Sequence, residues 1–341
     1  MSKRILLIKT SSMGDLIHTL PALTDAGAAF PDISFDWMVE TSFKEIPHWH
    51  PLVRNVIPVS LRRWRKEIVK RETWSQVGGL ARQLRAQGQY DLILDAQGLV
   101  KSAVLGFLGQ GVRAGLDFHS ARESLASLMY QQKHTVNFYQ HAVVRMRSLF
   151  SKALGYPLPL SAPDFGLNAL RKETQQEKYI VLLHGTTWAS KQWPEQYWIE
   201  LARLAAAEGY RLRLSGGNPV EVERAQRIAQ GNPYVDVTPY LTISQMAQVL
   251  AKAHAAVAVD TGFGHLASAL GVPTVSMYSS TNPEYTGALG AASVHLTPQF
   301  SCSPCLNRAC TYRQSTAVEP ACFEQITPAL VWDTLKKVAS V

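Results

Sequence analysis

Short apolar runs recur along this chain at Ile5 to Ile8, Phe35 to Val39, Leu92 to Asp95, Ile180 to His184, Arg211 to Leu214, Ala256 to Val259 and Thr274 to Tyr278, with amphipathic stretches between them. This alternation predicts parallel sheets flanked by helices, because a parallel neighbour needs a crossover long enough to hold a helix. Helical periodicity is clearest over Trp74 to Gln87, His141 to Leu154, Pro194 to Glu208, Val220 to Ala229 and Ile243 to Ala253. Gly88, Gly155 and Gly209 follow three of these stretches as stop signals, and Pro194 sits where a first helical turn tolerates proline.

A chain of 341 residues exceeds what one hydrophobic core usually serves, so two domains are expected. The stretch from Gly155 to Lys172 carries Pro157, Pro159 and Pro163 without a sustained period and reads as a linker. The expected division is a first domain over 1–155, a linker over 156–178 and a second domain over 179–322. A terminal segment, 323–341, then carries a helix from Pro328 to Val338 that could dock back on the first domain. Both halves begin alike, with an apolar strand and then a loop rich in Ser or Thr, as two Rossmann-like domains would; ligands then belong at the carboxyl ends of the strands.

Hydrophobic residues make up 46% and charged residues 18% of the chain, a globular balance, and no apolar run approaches the roughly 18 residues that cross a bilayer. Ile5 to Ile8 is too short for a signal-peptide core, so the cytoplasm is the expected location. The net charge of +8 points to anionic partners: nucleic acid, phosphorylated small molecules or an acidic membrane surface. Much of it gathers in Arg62, Arg63, Arg65, Lys66, Lys70 and Arg71, with Trp64 and Trp74 interleaved. This is either a solvated helix face or an anion-docking patch.

The loop Lys9-Thr10-Ser11-Ser12-Met13-Gly14-Asp15 follows the first strand and lacks both the dinucleotide and the Walker glycine patterns. As a first-turn acid, Asp15 would complement the helix dipole; at a crevice mouth it would serve as a general base toward a hydroxyl nucleophile. His18 follows within a turn. In the second half a strand feeds His184-Gly185-Thr186-Thr187, then Lys191 and Pro194. Hydroxyls, backbone N–H groups and one cation at a sheet end suit a phosphate.

Glu221 and Glu223 open a helix after Ser215-Gly216-Gly217, as dipole partners or as acceptors from a nucleotide's hydroxyls. Asp260-Thr261-Gly262-Phe263-Gly264-His265 ends another strand; Thr261 and Gly262 supply a tight turn, Gly264 permits close approach to the backbone, and the helix N-terminus near His265 offers N–H groups to an anion. Taken with the Thr and Lys loop, the better reading is a sugar-diphosphate site. Cys302, Cys305, Cys310 and Cys322, spaced C-x2-C-x4-C-x11-C, could close a tetrahedral zinc or iron–sulfur site or stay as free thiols.

Taken in order, KTSSMGDLIHTLPALTDA, FDWMVE, IPVSLRRWRK, DAQGLVKSA, SARESLASLMY, HGTTWASKQWP and VDTGFGHLASAL resemble the lipopolysaccharide heptosyltransferases of glycosyltransferase family 9 over nearly the whole chain. The resemblance implies an α/β GT-B fold, two Rossmann-like domains with the active site between them, and closure that excludes water. It implies inverting transfer of heptose from ADP-L-glycero-β-D-manno-heptose to a Kdo residue of Kdo-lipid A, without a metal or cofactor and without nucleic acid. The enzyme would act as a peripheral protein on the cytoplasmic face of the inner membrane.

By the same resemblance Asp15 stands at the catalytic base and Lys191 at the lysine that contacts the donor phosphates. Thr186, Thr187, Glu221, Asp260, Thr261, Gly262 and His265 match donor-site positions, and Leu241 stands where the family's first-characterised type has methionine. Arg62, Arg63, Arg65, Lys66 and Arg122 would meet acceptor phosphates and carboxylates. The cysteine-rich tail departs from the Kdo-directed type and resembles other members of the wider family. Transfer onto the first heptose, or a nucleotide-sugar epimerase or hydrolase on the same fold, are the alternative activities; a nucleic-acid binder would leave Asp260 to His265 unexplained.

Overall fold

The computed structural model describes residues 3–172 and 177–339, which divide into two compact units between Gly166 and Leu167. In the first unit the strands are β1 (Arg4–Ile8), β2 (Ser34–Glu40), β3 (Val53–Val59), β4 (Leu92–Asp95), β5 (Arg113–Leu116) and β6 (Gln132–His134). In the second they are β7 (Glu177–Leu183), β8 (Arg211–Leu214), β9 (Val235–Val237), β10 (Ala253–Val259), β11 (Thr274–Met277) and β12 (Ser293–Leu296). The first sheet has the order β3-β2-β1-β4-β5-β6 and the second β12-β11-β10-β7-β8-β9. Read from either sheet's own first strand, the order is the same.

All pairings are parallel, with β1 between β2 and β4 and β7 between β8 and β10. The strand order therefore reverses beside β1 and again beside β7, which makes the carboxyl ends of β1/β4 and β7/β10 the switch points where an open α/β sheet receives ligands.

Each unit has its own core. In the first, Leu6, Ile8, Met38, Ile57, Ile93 and Leu84 pack on one face of the sheet. The other face is covered by the helices Leu20–Ala29 and Ala142–Leu154, tied by the buried Arg147–Asp25 ion pair at 2.6 Å. In the second, Ile180, Leu182, Val257 and Val275 meet Trp193, Trp198 and Leu201. Helix ends fall where glycine permits a left-handed residue: Gly155 has φ 78° and Gly209 φ 83°.

Two expected boundaries move. The stretch read as the start of the linker lies packed on the first unit, with Tyr156 and Phe165 buried, Ser151 Oγ donating to Tyr156 O at 2.6 Å and Arg147 Nη1 to Ser161 O at 2.8 Å. Its prolines keep it extended, but its carbonyls and aromatic rings find partners, so it is not free chain. Residues 173–176 of that expected linker, like residues 1–2 and 340–341, lie outside the described residues. The final helix, Pro328–Ala339, belongs to the second unit: Val331, Trp332 and Leu335 are buried in that unit's core and Trp332 Nε1 donates to Glu208 Oε1 at 2.7 Å.

Candidate functional site

In the first unit the loop after β1 is held from both neighbouring strands. Trp37 Nε1 donates to Lys9 O at 2.9 Å and Glu40 N to Thr10 O at 3.1 Å. From the β4 side, Gln97 Oε1 accepts from Thr10 N at 3.0 Å and Ser11 N at 3.2 Å. Gln97 is itself fixed by Asp95, which ends β4 and is buried: Asp95 Oδ1 accepts from Gln97 N at 2.8 Å and Gly98 N at 3.2 Å, and Oδ2 from Ser102 Oγ at 2.8 Å and Tyr130 Oη at 2.6 Å. Burial pushes the Asp95 carboxyl up, and these bonds pull the other way.

Asp15 lies in the helix Met13–Ile17, half-buried, and its Oδ2 accepts from Ser12 N at 2.9 Å and Ser12 Oγ at 2.6 Å. Both of those bonds use one oxygen. Its carboxylate thus reaches back to the backbone of the N-cap residue Ser12, as in a capping box. Burial pushes its carboxyl up, but the Lys9 ammonium, the two bonds from Ser12 and His18 outweigh this and hold it below the usual carboxylate range.

Lys9 is buried, donates from Nζ to Ala96 O at 2.9 Å, and is pushed down by burial against the pull of Asp15 and Asp95. Burial presses Arg145 down, the charge of Arg122 adds to this, and the charge of Asp15 pulls the other way. Asp15, Lys9, Arg145 and Arg122 thus feel one another's charge, and the buried His18 stands edge-on to His141 at 5.4 Å.

Arg62, Arg63, Arg65 and Lys66 lie on the short helix Leu61–Lys66 that follows the edge strand β3, and all four are exposed. Arg63 Nη2 donates to Gln76 Oε1 at 2.6 Å, an oxygen shared with Trp64 Nε1 at 3.0 Å. They stand on the same carboxyl rim of the sheet as the Asp15 loop, at its outer edge.

In the second unit Asp260 ends the β10 side of the switch point. Lys191 Nζ lies 2.5 Å from Asp260 Oδ2, Thr281 Oγ1 donates to the same oxygen at 2.6 Å, and His265 Nε2 is 3.7 Å from Oδ1. Burial pushes the Asp260 carboxyl up, but His265 and Lys191 overcome it and hold it far below the ordinary range. Thr186 Oγ1 donates to Asp260 O at 3.0 Å, which joins the ends of β7 and β10. Lys191 also stands 4.4 Å over the Trp188 ring. Thr261 is the N-cap residue of the helix Gly262–Ala269.

Glu221 Oε2 accepts from Gly217 N at 2.7 Å, and its carboxylate lies only 2.9 Å from where a Cβ on Gly185 would sit. Glu221 and Thr186 line one cavity of about 490 Å³ with Gly185, Gln192 and Arg224. Arg224 donates to Trp193 O at 2.6 Å. Thr187 is exposed beyond Thr186, and Leu241, half-buried ahead of the helix Ile243–Lys252, is not among the residues that line this cavity. At Gly264 a Cβ would meet Ala258 Cβ at 3.0 Å, so the missing side chain lets the helix lie close against β10.

Sequence reading passed over Asp95, Gln97, Arg145, Thr281 and Arg224. An acid closing an apolar strand, as in Leu92 to Asp95, was a usable signal for the first two. Nothing local marks Arg145 or Arg224, which lie in ordinary amphipathic helices.

The sequence profile of glycosyltransferase family 9 (heptosyltransferase) matches residues 77–315. The chain is 49% identical to lipopolysaccharide heptosyltransferase 1 of Pseudomonas aeruginosa over 96% of both chains. It is 47% identical to lipopolysaccharide heptosyltransferase 1 of Escherichia coli K12, over 84% of this chain and 91% of that one. Among solved structures, E. coli heptosyltransferase WaaC with ADP superposes with a TM-score of 0.88 at 41% identity, covering 98% of this chain and 99% of that one. The same enzyme with ADP-2-deoxy-2-fluoro heptose gives a TM-score of 0.85, with the same identity and coverage.

Proposed function

Since the chain belongs to glycosyltransferase family 9, the heptosyltransferases, we propose that it moves heptose from ADP-L-glycero-β-D-manno-heptose to a Kdo residue of Kdo-lipid A, with inversion at the anomeric carbon. The chain is a glycosyltransferase of the GT-B class and its reaction is heptose transfer in the lipopolysaccharide inner core. The acceptor, the stereochemistry and the residue roles are our reading. What carries it is a pair of switch points, one with a carboxylate held ionised and the other with an anchored ammonium.

In this reading Asp15 accepts the proton of the attacking hydroxyl as the new C–O bond forms and the bond to the ADP oxygen breaks. A carboxylate held below the usual range is a weak base toward a resting alcohol, so the proton transfers late, when the attacking oxygen has become acidic. Lys9 and Ser12 keep Asp15 charged and aimed; Asp95 and Gln97 fix the loop that carries it. The departing diphosphate gathers negative charge, which the Lys191 ammonium and the N–H groups opening the helix Gly262–Ala269 offset. Asp260, with Thr281 and His265, holds that ammonium in place.

Glu221 would accept from nucleotide hydroxyls in the cavity it shares with Thr186, and Thr187, Thr261 and Gly262 would contribute donors along the same strand ends. Leu241 would give an apolar contact. Arg122, in the Asp15 cluster, and Arg62, Arg63, Arg65 and Lys66 at the rim would meet the acceptor's anionic groups. Because such an acceptor is anchored in a bilayer, we also propose peripheral contact with the cytoplasmic face of the inner membrane. In support, Ile68, Val69 and Trp74 are exposed among these bases, and among the described residues no helix is long and apolar enough to cross a membrane.

The test is to offer ADP-heptose with Kdo-lipid A and, separately, with already heptosylated core, and to record ADP release and product mass. Transfer to Kdo-lipid A alone is expected; transfer only to heptosylated core, or sugar release at full rate without acceptor, overturns the assignment.

A further inference from the structure

After β12 the chain has no regular helix or strand from 297 to 320. Connections of that length without secondary structure are uncommon in compact domains, and an ordered one usually serves a function. This one is pinned to the turn that carries Lys191. Leu306 N donates to Ser280 O at 2.8 Å, Ser190 N to Arg308 O at 3.1 Å and Ser190 Oγ to Asn307 O at 2.5 Å. The next two residues, Ala309 and Cys310, line the same cavity as Thr186 and Glu221. Leu306 opens the turn with φ 56°, a left-handed conformation that a residue other than glycine keeps only where its surroundings impose it, and such strain collects at ligand clamps.

Two cations meet on one indole at this turn. Lys191 Nζ stands 4.4 Å and the Arg308 guanidinium carbon 5.8 Å from the centre of the Trp188 ring. Their charges are not equivalent. Lys191 is paired with Asp260, so much of its field is cancelled before a ligand arrives. Arg308 is exposed, and among the described residues no carboxylate pairs with it.

A sugar diphosphate brings more negative charge than a lysine already balanced by a carboxylate can offset, and the departing nucleotide gathers more. The N–H groups that open the helix Gly262–Ala269 supply about half a charge. Arg224 and Arg227 line the cavity as well, but Glu195 faces both, at 3.7 and 2.8 Å, and Arg224 also donates to Trp193 O. Their charge is spent within the wall. Arg308 is the cation at this turn whose charge is not.

We propose that Arg308 is a second cation for the diphosphate of the sugar nucleotide, carried beside Lys191 on the Trp188 ring. The inference rests on the donor-site reading above. A guanidinium can lie against an aromatic face and still present its N–H fork to a phosphate. The indole thus steadies the side chain without using the donors that the phosphate needs.

The test uses the full chain, with ADP binding followed by calorimetry, adenosine measured as a competitive inhibitor, and turnover of ADP-heptose. Arg308→Gln removes the charge and leaves the backbone bonds to Ser190 in place. It should weaken ADP binding about tenfold and raise the KM for ADP-heptose in step, while adenosine, which has no phosphate, inhibits as before. Arg308→Lys returns the charge without the fork and should recover part of the loss. Unchanged ADP affinity and KM in Arg308→Gln overturn the inference. Equal losses for ADP and adenosine, which mark a disturbed cavity rather than a missing charge, overturn it too. A wild-type protein that does not bind ADP instead sinks the donor-site reading itself, before any substitution is made.

Discussion

Gln97 Oε1 takes the backbone N–H groups of both Thr10 and Ser11, at 3.0 and 3.2 Å, so one amide side chain from the end of β4 sets the shape of the loop after β1. A rigid loop is what a base needs when a misplacement of an ångström costs about 100-fold in rate. Gln97→Ala removes the acceptor and leaves both N–H groups to be met by water. Turnover is expected to fall about 10- to 100-fold, with ADP-heptose affinity by calorimetry unchanged. An unaltered kcat would show that the loop holds its shape without Gln97.

Asp15→Asn keeps the size of the side chain and abolishes its basicity. Turnover should drop by about 100- to 10,000-fold while donor affinity is retained. Because Lys9 and Ser12 hold the wild-type carboxyl below its ordinary value, Asp15 is ionised throughout the neutral range. The acidic limb of kcat/KM that belongs to it should therefore lie below about pH 3.9; a limb near pH 6 that vanishes in Asp15→Asn contradicts this.

Lys191 and Asp260 form a largely buried pair. Asp260→Asn leaves the ammonium without its counter-charge, which costs about 3 kcal/mol at pH 7 and should weaken ADP-heptose binding. The sign with pH follows from the depressed Asp260 carboxyl: its contribution is complete above the ordinary carboxylate value of about 3.9 and is lost as pH falls through the lower folded value. Denaturant unfolding of both proteins should show a stability gap at pH 7 that closes only in strong acid.

Ile68, Val69 and Trp74 are exposed at 56%, 92% and 60%, and Trp74 is steadied by Nε1 donating to Ile68 O at 2.8 Å. Replacing all three by Ser should reduce sedimentation with vesicles containing acidic lipid and leave ADP-heptose affinity intact. Neutralising Arg62, Arg63 and Arg65 together should weaken the same binding most at low salt, since screening already limits exposed charges at high salt. Loss of donor binding in the arginine variant would reverse the assignment of the two units.

The strands that periodicity marks are β1, β2, β4, β7, β8, β10 and β11, and those it passes over show why. β3, β6, β9 and β12 are the four sheet edges. An edge strand is buried on fewer sides, so it carries charges and even Pro58 where an inner strand would show an apolar run. β5 reads Arg113-Ala114-Gly115-Leu116, and its glycine gives way to the Tyr130 ring, which would lie 2.4 Å from a Cβ there.

The site divides the same way. Asp15, Lys191 and Asp260 follow strands in sequence and could be placed by that alone. Arg145 reaches Asp15's field from a helix more than a hundred positions away, and only the fold brings it there. Gly264 was legible only in part, since its close fit against the methyl of Ala258 shows only in the fold.

The shared strand order of the two units bears on how such a protein can change. Each half closes its own core and carries its own switch point, and in the proposed reading one serves the acceptor and the other the donor. A chimera that joins the first 166 residues of this chain to the matching second half of a relative with a different sugar nucleotide should take its leaving group from one parent and its nucleophile from the other. Donor and acceptor preference could then drift separately, with the break placed where the backbone passes from Gly166 to Leu167.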